Sequence, residues 1–440
     1  MRWKTGEYTG WGRVLTATGK RARPEKVADL RATLKEESGP AIGNRRSYGD
    51  AALNSGGAAI DMTRLDRLIG FDAATGQLTI EAGMRLGEIL RLFAPKGWIP
   101  AVMPGTGFAT VGGAIANDVH GKNHHNAGTF GNHVLAMDIL GVNGRLRHVT
   151  PDTAPDLFRA TIGGLGQTGI ILSATLQLKA AASAVMDVEE RRVDSLDEFL
   201  AMLEHSSATY SVGWIDATKR GPELGRGILE EAEIGTGARP PKLKPAKTVP
   251  FDAPKFLMSG SSVRLFNHFY HRRIPVEGRQ LHRPMDDFFF PLDRILGVNR
   301  LYGKSGFHQF QCVVPEDAAG PAFREMLERI TKTRLASPLA VIKRMGDGQA
   351  GHLSFPIKGF TLAIDFQHRA ETVPLIQRLD RITAEAGGRV YLAKDSVLSA
   401  ERAHEMYDDI PAWAAIANKA DPARRLETDL VRRLKMREGL

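Results

Sequence analysis

The chain has 440 residues, 42% hydrophobic and 25% charged, which allows two or three domains around large buried cores and excludes a disordered or fibrous protein. Lys and Arg outnumber Asp and Glu by 59 to 50, so the surface suits an anionic partner such as a phosphate ester or an acidic lipid face. Cys312 is the single cysteine, which excludes an internal disulfide and a cysteine-based metal cluster; redox chemistry would need a cofactor.

In chain order, the N-terminal stretch MRWKTGEYTGWGR has no apolar run of the secretory type, and no segment reaches the ~18 apolar residues of a spanning helix. The expected location is cytoplasmic, with peripheral contact to a membrane left open. Hydrophobic periodicity predicts helices over 26–35 and 85–93, the second with Leu86, Ile89, Leu90 and Phe93 on one face. AAIDM at 58–62 and QLTIEAG at 77–83 read as strands between glycine-rich turns, so the N-terminal third is mixed α/β. Beyond about 185 the pattern is α+β. DSLDEFLAMLEH at 194–205 and AFREMLERITKT at 322–333 read as helices and TYSVGWIDA at 209–217 as a strand. In HQFQ, a strand places Gln309 and Gln311 on one face, and two amides there suit sugar hydroxyls. Residues 220–305, rich in Pro, Arg and His, are expected to form long mobile loops. The C-terminal segment is expected to return to a strand through VYLA at 390–393 and a polar helix from Pro422 onward.

Several motifs invite labels. Gly164, Gly166 and Gly169 match a dinucleotide fingerprint, but that fingerprint follows a strand and opens a helix, whereas here a helical pattern precedes and a strand pattern follows. Gly303-Lys304-Ser305 lacks the earlier glycine of a P-loop, Val298 standing in its place. His120, His124, His125 and His133 suggest a metal, yet Gly121 and Asn123 interrupt any helix aligning the first two, and no glutamate completes the set. No metal is expected. No nucleic-acid motif is present either, so nucleic acid is not an expected partner. GNRRSYGD at 43–50 and the loop at 104–125 combine glycines with Ser, Thr, Asn and Arg donors. Such loops clasp a phosphate or are tight turns of a β-rich domain.

Taken in order, GNRRSYGDAALN, PGTGFATVGGAIANDVHGKNHHNAGTFGNHV, IGGLGQTGII and VYLAKDS resemble the FAD-linked oxidases of the vanillyl-alcohol-oxidase type over nearly the whole chain. The resemblance implies an α+β, two-domain fold. A mixed α/β FAD domain would be built from residues 1–184 and 389–440, and a central substrate domain with an antiparallel sheet from 185–388. It implies cofactor contacts from Gly43, Asn44, Arg45, Arg46, Ser47, Tyr48, Gly49 and Asp50, from Gly105, Thr110, Gly112, Gly113, Asn117, Val119 and His120, and from Ile171 and Tyr391. Members with covalently attached flavin carry histidine where this chain has Asp50, so FAD is expected to be held non-covalently.

By the same resemblance Lys394 is the catalytic base or an electrostatic anchor for the substrate, with His120 and Tyr48 flanking the flavin. Lys122, Gln309, Gln311, Lys343 and Lys394 would line the substrate pocket. The implied reaction is FAD-dependent oxidation of the 2′-hydroxyl of a polyprenyl-phosphoryl ribose to the 2′-keto sugar, the first step of an epimerisation. A lipid-linked sugar phosphate is the substrate, a reductase of the short-chain-dehydrogenase type is the implied partner, and quinone or oxygen is the implied electron acceptor. A free-sugar alditol or aldonolactone oxidase is the alternative. Phe288, Phe289, Phe290 and Leu292 are expected to meet a polyprenyl chain or bilayer, a buried turn being the alternative. Close members of the family carry Asn-x-Cys at Thr361-Leu362-Ala363 and tyrosine at Phe289, so pocket polarity differs here.

Overall fold

A computed structural model describes residues 3–236, 245–335 and 337–438. Three sheets organise them. The first has four strands in the order Lys4–Thr9, Thr16–Ala22, Ala58–Asp61, Ala41–Ile42, mixing an antiparallel hairpin with parallel pairs. The helix Val27–Glu36 packs its Leu30 and Leu34 against Ile60 and Met62. The second sheet is antiparallel, in the order Leu68–Asp72, Gln77–Glu81, Ile170–Ala180, Val134–Leu140, Leu146–Val149, and Trp98–Pro100 also pairs with Ile170–Ala180. The helix Leu86–Phe93 buries the apolar stripe its spacing predicts, and Val111–Ala116 joins it over Leu78, Ile80, Leu176 and Leu178.

The third sheet has eight strands, all antiparallel, in the order Arg279–Pro284, Val185–Val193, Gly227–Ile234, Tyr210–Ile215, Ala340–Met345, Gly359–Gln367, Phe307–Pro315, Arg389–Val390. Side chains alternate across a strand, and here the alternation sorts chemistry. Phe310, Cys312 and Val314, Phe360, Leu362, Ile364 and Phe366, and Ala340 and Ile342 face a layer made by the helices Leu196–His205, Glu316–Lys332 and Thr372–Glu385. The opposite face of the same strands therefore carries Gln309, Gln311, Lys343, Thr361 and Asp365.

Several expectations are corrected. Within 220–305, Gly227–Ile234 and Arg279–Pro284 are strands of the large sheet and Gly260–Arg272 is a helix; the basic run at 237–244 lies outside the described residues. Charge hid the strand pattern: Glu230 and Glu231 sit in register with Glu190 and Glu189, held there by Arg283 and Arg191. Polarity hid the helix, whose buried stripe is Val263, Asn267 and His271. The helix expected at 322 begins at Glu316 and carries Pro321 inside. The strand expected through VYLA stops at Val390, and residues 391–394 form a turn closed by the Lys394 amide donating to the Tyr391 carbonyl (2.9 Å). The C-terminal helices are Ala400–Met406 and Ile410–Ala420, followed only by the short Asp429–Arg433, so no long helix starts at Pro422.

Phe288, Phe289 and Phe290 do not reach outward. They are 0%, 2% and 1% exposed in a cluster with Met103, Met186 and Tyr210, which removes them from any lipid contact. Phe288→Ala should accordingly lower the unfolding free energy by ~3–5 kcal/mol in urea denaturation; a loss under about 1 kcal/mol would contradict interior packing.

Candidate active site

Two glycine-bearing loops and the C-terminal turn converge on one cleft. The first loop, 43–50, leaves Ala41–Ile42 and is fixed by its neighbours. The amides of Trp11 and Gly12 donate to the Ser47 and Tyr48 carbonyls (2.8 and 3.1 Å), and the Tyr48 amide donates to the Ala393 carbonyl (3.0 Å). Arg45 sits at φ +49°, a turn conformation that side chains rarely adopt. The Arg46 guanidinium lies between the Trp11 and Phe108 rings (4.2 and 4.5 Å), tying this loop to the second. Gly43 and Gly49 are there for closeness: a Cβ would stand 2.3 Å from Thr110 Oγ1 at the first and 1.9 Å from the Asp395 carbonyl oxygen at the second.

The second loop enters Val111–Ala116 through Thr110, whose hydroxyl caps the Gly113 amide (3.2 Å). Asn117 donates to the Gly113 carbonyl (2.8 Å), while the Tyr391 hydroxyl donates to the Asn117 carbonyl (3.0 Å), joining this loop to the C-terminal turn. His120 is 6% exposed and packed by Phe355 and Tyr391 (ring centres 5.4 and 5.2 Å). Burial drives its pKa well below the ordinary histidine value, with the lysines Lys343 and Lys394 acting in the same direction. The ring is therefore neutral at pH 7, and its Nε2 meets the Gln311 amide at 3.0 Å.

At the end of the cleft Lys394 places Nζ 3.9 Å from the centre of the Tyr48 ring. Burial lowers its pKa from the ordinary lysine value, and Asp365 offsets part of that shift. Lys343 lines the same cleft, and burial together with Lys394 and Lys122 brings it down to about 7. Arg433 holds the base of the site, donating to both oxygens of Asp50 (2.8 Å each) and to Asp395 (2.8 Å).

The cleft brings together Gly43, Asn44, Arg45, Arg46, Ser47, Gly105, Thr110, Gly112, Gly113, Asn117, Val119, His120, Ile171, Gln311, Lys343, Tyr391 and Lys394. Tyr48 lies beneath Lys394, while Gly49 and Asp50 act behind the wall as spacer and ion-pair partner. Two expected pocket residues do not line it. Lys122 donates to Glu230 (2.8 Å) and to the Phe288 carbonyl (2.7 Å) with its ammonium over the Phe288 ring, so a carboxylate and a backbone carbonyl hold it away from the cleft. The Gln309 amide is taken up by Asp365 at 2.5 Å.

The four histidines do not converge either. His124 accepts from the Gly346 amide, His125 meets the Ala208 carbonyl and His133 the Ala127 carbonyl, and among the described residues no group of three His, Cys, Asp or Glu could hold a metal.

Sequence reasoning missed Leu165, Gly166 and Gly169, which line the cleft beside Ile171. The glycine spacing marked the right place under the wrong motif; Leu165 at φ +55° and Gly166 at +74° make a turn, and the Leu165 amide donates to the Ala116 carbonyl (2.8 Å). Arg433, Asp365 and Tyr302 carried no local signal.

The site fits a large cofactor with polar and apolar parts. Buried Arg46 Nε, Asn117 Oδ1 and His120 Nδ1 have no protein partner, and such orphans in a cleft walled by Met62, Ala82, Ala109 and Ile171 call for a ligand that supplies their hydrogen bonds. Residues 21–150 match the FAD binding domain family. The chain is 36% identical to decaprenylphosphoryl-β-D-ribose oxidase of Mycolicibacterium smegmatis, covering 98% of each protein. It is 32% identical, over 79% of its own length and 99% of the other, to an uncharacterised protein of Streptomyces coelicolor. A D-arabinono-1,4-lactone oxidase of Yarrowia lipolytica is 27% identical, over only 35% of this chain and 31% of that enzyme. The cleft, its orphaned polar groups and the end-to-end similarity give the same answer: the chain is an FAD-dependent oxidoreductase and belongs to the family of FAD-linked oxidases that includes decaprenylphosphoryl-β-D-ribose oxidase.

Proposed function

We propose that this protein oxidises the 2′-hydroxyl of a polyprenyl-phosphoryl ribose to the 2′-keto sugar, opening an epimerisation to the arabinose donor that a separate reductase of short-chain-dehydrogenase type completes, with quinone or oxygen taking the electrons. The observation that carries the reading is Lys343 and Lys394 in one cleft with the neutral donors Gln311 and His120. A lysine such as Lys343 suits a phosphodiester anion and amides suit the sugar hydroxyls. The layout that accompanies it is the two-domain fold of the vanillyl-alcohol-oxidase type, with 1–184 and 389–440 around the cofactor and 185–388 around the substrate. In its support, Gln311 and Lys343 are the only cleft-lining residues from the middle segment among the described residues.

Bound FAD supplies a two-electron acceptor for the hydride leaving the carbinol carbon. The chain's residues supply the rest. Lys394, its ammonium destabilised by burial, takes the hydroxyl proton. Tyr48 seats that lysine through its ring face. His120, kept neutral, hydrogen-bonds without adding a further cation. Tyr391 and Phe355 stack at 4.7 Å to close off water beside it. Lys394→Ala should keep bound FAD while slowing anaerobic flavin reduction by about 10²–10⁴-fold. Because the neutral amine is the active form and burial favours it, the wild-type rate should rise with pH through a midpoint below the ~10.4 of a free lysine. A wild-type reduction rate in Lys394→Ala would remove this residue from the chemistry.

Non-covalent attachment is supported by Asp50 and Cys312. The Asp50 carboxylate is engaged by Arg433, and Cys312 is buried on the helix-covered face of the sheet beside Met326. Acid precipitation should leave the yellow colour in the supernatant; colour in the pellet would show a covalent bond.

No helix among the described residues is long and apolar enough to cross a membrane. Contact with a lipid surface is instead supported by residues 253–276, which contain Arg264 and Arg272 and no Asp or Glu. They expose Phe256, Leu257, Leu265, Phe266, Phe269 and Val276, with Phe269 at 65% and Val276 at 82%. An exposed apolar patch flanked by cations suits the headgroup region of an anionic bilayer. Replacing Phe266 and Phe269 by Ser should reduce flotation with phosphatidylglycerol vesicles and leave binding to phosphatidylcholine vesicles at its low background; unchanged flotation would place the contact elsewhere.

A further inference from the structure

On the cleft-facing side of the large sheet lies a carboxylate to which the reaction above gives no part. Asp365, near the end of Gly359–Gln367, is 2% exposed. Its oxygens accept hydrogen bonds from Gln309 Nε2 (2.5 Å) and from the Tyr302 hydroxyl (2.8 Å). Tyr302 stacks on Phe307 at 4.0 Å and Phe307 meets Tyr48 edge-on at 5.4 Å, so the ring that carries the Lys394 ammonium packs against the residues that hold the carboxylate. Asp365, Tyr302, Phe307, Tyr48 and Lys394 thus form one continuous line from the interior to the cleft.

A buried carboxylate held only by neutral donors is costly unless a cation shares its surroundings. We propose that Asp365 is a positioning residue, the buried counter-ion of Lys394, which acts through Tyr302, Phe307 and Tyr48 to hold the lysine ammonium on the Tyr48 face between turnovers. This rests on the reading of Lys394 as the base. The groups facing Lys394 make Asp365 decisive. Lys343 and His120 are destabilised as cations by the same ammonium, Tyr48 stays protonated because it is buried, and among the described residues Asp365 is the carboxylate that acts on Lys394. The effect is reciprocal: burial raises Asp365, while Gln309, Tyr302 and Lys394 favour its ionised form. Without that charge burial would act unopposed on the Lys394 ammonium, and the proton would leave at lower pH.

The test uses the full-length FAD-loaded protein and reads Lys394 directly, by the pH dependence of its carbamylation with cyanate, quantified on the Lys394 peptide by mass spectrometry. Asp365→Asn should move the midpoint down by about one pH unit, a roughly tenfold loss of proton affinity. Tyr302→Phe keeps the carboxylate but removes one of its two donors, and should move the midpoint in the same direction by less; this variant decides the matter alone if Asp365→Asn does not fold. Midpoints equal to wild type would overturn the counter-ion role even where Lys394→Ala still abolishes flavin reduction. Normal flavin reduction in Lys394→Ala would instead sink the reading of the base, whatever the midpoints do.

Discussion

Arg433 stands between two carboxylates from opposite ends of the chain, Asp50 behind the first glycine loop and Asp395 behind Lys394, and the site depends on that junction. All three side chains are largely removed from water, so losing the guanidinium would leave two uncompensated charges side by side. The backbone is drawn in as tightly, with the Tyr48 amide bonded to the Ala393 carbonyl and Gly49 too close to Asp395 for any side chain. The cofactor loop and the lysine-bearing turn are thereby one rigid unit, and Lys394 inherits its position from it. Preorganisation of this kind lets a single amine act without first being gathered from solvent.

The large sheet supplies the other half by simple alternation. One face of its central strands is wholly apolar and lies under three helices, and that burial leaves the other face free to carry amides, a lysine and a carboxylate toward the cleft. Across these strands Gln311 stands opposite Ala363, and Lys343 opposite Thr361. Gln311 also donates to the Thr361 hydroxyl (3.2 Å), so neighbouring strands fix the orientation of an amide that lines the cleft.

Charge and aromaticity are distributed in a way that composition cannot anticipate. The triple phenylalanine at 288–290 is core, whereas the phenylalanines of Gly260–Arg272 face outward among arginines. Glu190, fully buried, is served by Arg273, Arg279 and Arg283, and the same cluster reaches Lys122 through Glu230. Much of the basic character of the 270–285 segment is therefore consumed inside the fold as counter-charge to the strands Val185–Val193 and Gly227–Ile234, and less of it is available to a ligand than its sequence suggests.

Taken by itself the sequence determined whatever is local. The apolar stripe of 85–93, the helical run at 194–205 and the alternation through HQFQ are short-range patterns, and each became the element its spacing dictates. Both glycine loops were legible because glycines among small donors are conspicuous, and FAD followed from their order along the chain. Tertiary structure alone decided which charged groups pair. Arg433 with Asp50 and Lys122 with Glu230 are separated by long stretches of chain, and no periodicity records a partner across that distance. It also decided which phenylalanines are interior, since a run of three looks the same in sequence whether neighbouring elements cover it or water does.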